Sequence, residues 1–204
     1  MKAGNRVTIT DIAAAAGVSK TTVSRYINGQ EHLMSEKTRN RLKTVIELLD
    51  YHPSDIARSL KSKKTNMIGV VISDITSPFF SAVIVGIGNV LARNHYTPLF
   101  VNCDNDVAQE EQYIRSFIAR EVDGLIVNTS SDTNKFLISV ACQGMPVVLC
   151  DRYIKDYKFD IVGTKNQEML FSIIRHLKEQ GFSRPAMFTQ LYEQNSARKL
   201  RREG

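Results

Sequence analysis

At 204 residues the chain has room for one large domain, or for a modest domain plus a small module. Its 43% hydrophobic and 24% charged residues exclude a disordered or collagen-like chain, and no apolar run nears the ~18 residues that span a bilayer. The formal net charge of +6 is unevenly placed: residues 1 to 65 hold twelve basic and six acidic residues, while the remainder carries fifteen of each. That asymmetry implies a basic module that meets a polyanion, joined to a neutral body, a solvated basic face being the alternative.

In chain order, the N-terminal MKAGNRVTITD lacks the apolar core of a signal peptide, so a cytoplasmic location is expected. Thr8 followed by Asp11 is a capping-box-like start, and Ile12, Ala13 and Ala16 give the helix a small apolar face. Gly17 breaks that helix, and Ser19 caps a second one with Val23 and Ile27 on one side. A third helix starts at Ser35 and carries Leu42, Val45, Ile46 and Leu49 at helical spacing, ending before Pro53. Ser54 to Lys64 reads as a basic, mildly amphipathic linker.

From Met67 the pattern changes to short β-rich runs: MIGVVIS, TPLFVNC, GLIVN, PVVLCD and DIVGT. Helical segments lie between them, signalled by Ser77-Pro78, by Asp106 with Gln109, and by the stripe Leu170, Ile173, Ile174 and Leu177 ending at Gly181. Strands alternating with helices predict a doubly wound parallel sheet. The predicted fold class is an all-α helix-turn-helix headpiece followed by an α/β body. Cys103, Cys142 and Cys150 sit in or beside apolar runs at no metal spacing and read as buried thiols rather than a disulfide scaffold.

The segment DIAAAAGVSKTTVSRYING joins a small-residue helix, a glycine turn and a polar, basic second helix, which is what a helix lying in a DNA major groove requires. Together with SEKTRNRL, LLDYHP, IARSLKSKKTNMIGVV, SPFF and VDGLIVN, in that order, it resembles the LacI/GalR family of bacterial transcription regulators along the entire chain. The resemblance implies that Lys20, Thr21 and Arg25 read bases, and that Thr8, Ser19, Thr22, Ser24 and Asn28 contact phosphates or frame the helix. Arginine reads guanine by two hydrogen bonds, and hydroxyls suit phosphate oxygens. It further implies that IARSLKSK is a hinge helix, with Leu60 wedged into the minor groove and Ala57 beside it.

For the body, the resemblance implies a fold similar to periplasmic binding proteins, two α/β subdomains with a ligand in the cleft. Ser77, Phe79, Phe80, Asn128, Asp151 and Arg201 would line that cleft. The implied partners are double-stranded DNA with a pseudo-palindromic operator, a sugar or sugar-acid effector, and a second copy of the chain as a homodimer. No metal, cofactor, membrane or catalytic role is implied. The expected segments are a headpiece at 1–52, a hinge linker at 53–65, the first core subdomain at 66–163 and part of a second at 164–204. The family's body continues further, so an incomplete second subdomain, supplied here by one helix from Gln167 to Gly181 and a strand at PAMFTQ, is expected to make this a non-responsive repressor fragment that binds DNA weakly, shows no effector response and leaves edges exposed.

Two rival readings stand beside this one. A sugar-binding protein without a DNA role is opposed by the basic first third. A nucleotide-dependent enzyme is suggested by Gly86, Gly88, Ala92 and Asp104, which resemble a dinucleotide fingerprint. A helix already starts at Ser77-Pro78, however, so those glycines read as sites of close helix packing. His32, His52, His95 and His176 are scattered, with no metal spacing.

Overall fold

Helix α1 (Ile9–Ala16) starts where the Asp11 carboxylate accepts hydrogen bonds from the Thr8 backbone N–H at 2.8 Å and the Thr8 hydroxyl at 2.7 Å. It ends at Gly17, whose φ of 61° lies in the left-handed region that favours glycine. Helix α2 (Lys20–Ile27) follows, capped by Ser19, whose hydroxyl oxygen accepts the Thr22 N–H at 3.1 Å. After a short turn of 3-10 helix at Glu31–Leu33, Ser35 caps α3 (Glu36–Leu48) in the same way. Ile12, Ala13, Ala16, Val23 and Leu42 form the buried centre where the three helices meet. Ala13 and Ala16 let the helices approach closely, and Arg41 on α3 donates to the Ala16 carbonyl at 3.1 Å, satisfying one of the carbonyls that a helix end leaves open.

The computed structural model describes residues 7–51, 64–190 and 195–203, and the chain divides into two compact units, Met1–Lys63 and Lys64–Gly204. Ala57 and Leu60, expected in the hinge, lie outside the described residues.

The second unit is a parallel five-stranded sheet in the order β2-β1-β3-β4-β5, with β1 at Met67–Ile72, β2 at Thr97–Asn102, β3 at Gly124–Val127, β4 at Val147–Cys150 and β5 at Asp160–Val162. All four pairings are parallel, the central one aligning Ile68 with Gly124. The connecting helices are α4 (Pro78–Arg93), α5 (Val107–Ala119) and α6 (Lys135–Cys142), followed by α7 (Asn166–Glu179) and α8 (Ser196–Glu203). One core, with Val71, Ile114, Phe117, Leu125, Leu137 and Leu149 at its centre, packs α5 and α6 on one face of the sheet; Val70, Ile72 and Phe80 form the other with α4. Glycine is required at Gly69, where a Cβ would sit 2.4 Å from Phe117 Cδ2, so α5 can only lie this close over a bare strand.

Three expectations are corrected. PAMFTQ (185–190) forms no strand and Phe188 is 98% exposed; among the described residues no ladder pairs with it, and an unpaired strand has no hydrogen-bonding partner to hold it extended. Gly86 and Gly88 do not serve close packing among the described residues, since a Cβ at either would meet none of them within 4 Å. Of the cysteines, Cys103 is buried and Cys150 partly so, but Cys142 is exposed at the last turn of α6. All three are free thiols.

Candidate functional site

The headpiece presents α2 as its polar surface. Val23 points into the core, which leaves Lys20, Thr21 and Arg25 exposed on successive turns. The other expected contact residues are knitted into the local frame. Thr8 pairs with Asp11, the Ser19 and Thr22 hydroxyls lie 2.9 Å apart, and Asn28 Nδ2 donates to the Ser24 carbonyl at 2.7 Å. Each of these polar groups rigidifies a helix end while remaining at or near the surface, so framing and outward contact are compatible roles for the same side chains. The Thr8 hydrogen bonds hold the Asp11 carboxyl below its ordinary range.

In the α/β unit the polar side chains converge at the carboxyl ends of β1, β3 and β4. Strand β1 lies between β2 and β3, so the connections on its two sides run in opposite directions, and that reversal opens a crevice beyond the strand ends. Asn128, the first residue past β3, is fully buried; its Oδ1 accepts the Ser73 hydroxyl and its Nδ2 donates to the Cys150 carbonyl at 2.9 Å. One side chain thus ties together the ends of three strands. Asp151, the first residue past β4, is buried with φ at 66°, and Arg201, whose charge acts on it, donates from Nε to Asn166 Oδ1 at 2.6 Å. Burial pushes the Asp151 carboxyl up, opposed by the nearby guanidinium groups of Arg201, Arg152 and Arg198.

The structure therefore brings Asn128, Asp151 and Arg201 together. Ser77 sits half-buried at the start of α4, and Phe79, 43% exposed, stands beside it. Phe80 instead turns under the helix into the core against β1, meeting the Phe79 ring edge-on at 5.1 Å. Its packing fixes Phe79 from below. The loop before α4 is ordered by Asp74, which accepts from the Thr76 N–H at 2.9 Å and hydroxyl at 2.6 Å, bonds that hold its carboxyl low. No glycine lies between β1 and α4, and Gly86 falls inside the helix, so the geometry of a phosphate-cradling turn is absent there.

Further residues build this edge, Glu110 and Asp132 among them not singled out from the sequence. Arg152 is buried, and its guanidinium donates to Asn105 Oδ1 at 3.1 Å and to the Thr129 carbonyl at 2.9 Å. Glu110 on α5 is fully buried, accepting from the Thr129 hydroxyl at 2.9 Å, Ser130 N–H at 2.5 Å and Asn134 Nδ2 at 2.6 Å. Burial pushes its carboxyl up, against the pull of those donors. It pins the 129–134 loop, whose Thr129 carbonyl in turn holds Arg152. Asp132 in that loop binds Lys199 of α8 at 2.6 Å and Lys155 at 3.1 Å, docking the helix that carries Arg201. Among the described residues, three buried polar atoms at the edge have no protein partner: Ser130 Oγ, Asp151 Oδ1 and Arg152 Nε. A hydroxyl, an acceptor and a donor left unmet in one place is the arrangement a polar ligand completes. Cys103 is unsuited to reaction, since burial pushes its thiol up to about 12.

Comparison with known proteins fits this geometry. Residues 8–54 match the family described as bacterial regulatory proteins, lacI family, and residues 65–204 match the periplasmic binding proteins and sugar binding domain of the LacI family. The chain is 40% identical over 181 residues to the HTH-type transcriptional regulator PtxS of Pseudomonas plecoglossicida, covering 89% of this chain and 53% of that protein. It is 37% identical over 189 residues to the HTH-type transcriptional regulator KdgR of Bacillus subtilis, covering 93% and 56%. It thus spans about half the length of the curated relatives it matches. Among solved structures, a lac repressor dimer bound to operator and the anti-inducer ONPF superposes with a TM-score of 0.82 at 26% identity, covering 97% of this chain and 59% of that one.

Proposed function

The chain belongs to the LacI family of bacterial regulatory proteins, and on that premise we propose that it is a sequence-specific DNA-binding transcriptional regulator, a repressor of carbohydrate or sugar-acid use. The observation that carries this reading is the exposed row Lys20, Thr21 and Arg25 on α2, held out from a capped three-helix core within the basic third of the chain. In this proposal α2 lies in the major groove, where Arg25 reads a guanine and Lys20 and Thr21 read neighbouring bases. Thr8, Ser19, Thr22, Ser24 and Asn28 set the register on the phosphates. Leu60, with Ala57 beside it, wedges the minor groove. Two copies bind a pseudo-palindromic operator as a homodimer in the cytoplasm.

The effector is a small polyhydroxylated molecule, a neutral sugar or a sugar acid. The unmet polar atoms at Ser130, Asp151 and Arg152 support placing it at the strand ends. Asn128, Asp151, Arg152 and Arg201 supply hydrogen bonds, Phe79 supplies an apolar face, Ser77 closes the near side, and Phe80 acts through its support of Phe79.

The test is selection of bound sequences from random DNA, followed by Arg25→Ala. The variant should lose discrimination worth on the order of 1 to 3 kcal/mol at one base position, while binding to random DNA changes little. An unchanged ratio of selected to random affinity would overturn the assignment of α2 as the reading helix.

A further inference from the structure

The α/β unit begins with a carboxylate clasp that serves neither of the sites above. Asp123 Oδ1 accepts the Thr65 N–H at 2.8 Å and the Thr65 hydroxyl at 3.1 Å, and its Oδ2 accepts the Asn66 N–H at 3.0 Å. The Thr65 hydroxyl also lies 2.8 Å from the Glu121 carbonyl. Asn66 takes a left-handed φ of 53°, and its carbonyl accepts the Thr97 N–H at 2.8 Å. The Asp123 N–H meets the Met67 carbonyl at 2.8 Å. The first residues of the unit are therefore fastened to the starts of both β2 and β3 before β1 has begun. Sheet formation alone does not require this, because Asp123 and Thr65 both precede the strands they join.

We propose that Asp123 is a positioning residue for operator binding: by clasping Thr65 and Asn66 it fixes the point and direction at which the linker leaves the core. The proposal rests on the DNA-binding reading given above. Two headpieces on one duplex are tethered, and the strength of the second contact depends on the effective concentration that the tether allows. Releasing Thr65 adds about 3.5 Å of slack per copy, at roughly 3.3 to 3.6 Å per residue, and loosens the departure direction, while the Asn66 carbonyl stays on the Thr97 N–H. Longer and less directed tethers lower effective concentration without touching either headpiece.

The experiment measures the affinity of the full-length protein by fluorescence anisotropy on two duplexes, the selected two-half-site operator and a single half-site in random flanks. Wild type must first prefer the operator; if it does not, the DNA-binding reading itself has failed and the clasp is not at issue. Asp123→Ala should weaken operator binding by roughly three- to tenfold and leave half-site binding unchanged. Thr65→Val, which removes the hydroxyl while keeping the backbone donors, should show a smaller loss of the same kind. An unchanged ratio of operator to half-site affinity in both single variants, whether the two affinities fall together or not at all, overturns the proposal.

Discussion

Replacing Asn128 by alanine removes the side chain that joins the ends of β1, β3 and β4. The fully buried Ser73 hydroxyl loses its acceptor and the part-buried Cys150 carbonyl its donor at 2.9 Å. A buried polar group left without a partner costs about 1 to 3 kcal/mol, and the Ser73 hydroxyl recovers part of its share by rotating to another acceptor. The net loss is then about 2 to 4 kcal/mol. With a urea dependence of about 1 to 3 kcal/mol per molar, the unfolding midpoint of the α/β unit should fall by roughly 1 to 2 M. Asn128→Asp should be worse than alanine, because a carboxylate oxygen would then face the Cys150 carbonyl. The assay is urea unfolding followed by far-ultraviolet circular dichroism, with the headpiece signal separated by its own α-helical transition. A midpoint shift smaller than about 0.3 M would refute the reasoning, since it would mean that the three strand ends stay aligned without this residue.

Gly69→Ala forces a methyl group against Phe117 at 2.4 Å and Leu125 at 2.8 Å, so thermal unfolding should show a destabilisation of about 1 to 3 kcal/mol, with Gly86→Ala harmless by contrast. Ser19→Ala removes the cap of α2 and should cost the headpiece about 1 kcal/mol, measured on the helical melt. Burial pushes the Asp132 carboxyl up, but Lys199 and Lys155 outweigh it, and its folded pKa is lowered. The stabilisation is therefore complete above the unfolded value near pH ~4 and is lost as pH falls through the lower folded value. Asp132→Asn should flatten that acid limb of the melting-temperature profile; a profile identical to wild type would show that α8 is held by other contacts. Operator affinity should fall with salt by about 0.9 in log K per log salt for each phosphate neutralised, read from titrations at several ionic strengths.

The parts of the fold that follow from local chemistry could be read from the sequence. Ser19, Ser35 and Asp106 stand at helix starts because a short oxygen-bearing side chain reaches the next turn's N–H, and at Thr8 the Asp11 carboxylate reaches back to the Thr8 N–H instead. The five β-rich runs became five parallel strands because the helical segments between them supply the crossovers that parallel pairing needs. What needed three dimensions was missed. Glu110 has the look of a surface charge on an amphipathic helix, and only the fold of residues 129–134 over it makes it the anchor of a binding-edge loop. Gly69 and Gly86 carry the same residue letter, yet only the first faces a neighbour at 2.4 Å. Cys142 lies in an apolar run, but its phase on α6 turns it outward. PAMFTQ has strand-like composition, and composition supplies no partner strand.

The strand order also bears on how the protein emerges from the ribosome. Strand β1 is an interior strand, and both of its neighbours are made after it; Ile68 pairs with Gly124, more than fifty residues downstream. At about 5 to 20 residues per second, the apolar run MIGVVI is exposed for roughly 3 to 11 s before its second neighbour exists. During that interval the run offers an unpaired edge to any other nascent chain, which makes it the segment on which chaperone occupancy should be greatest. The headpiece meets no such delay, because its three helices close on one another within about forty residues of chain.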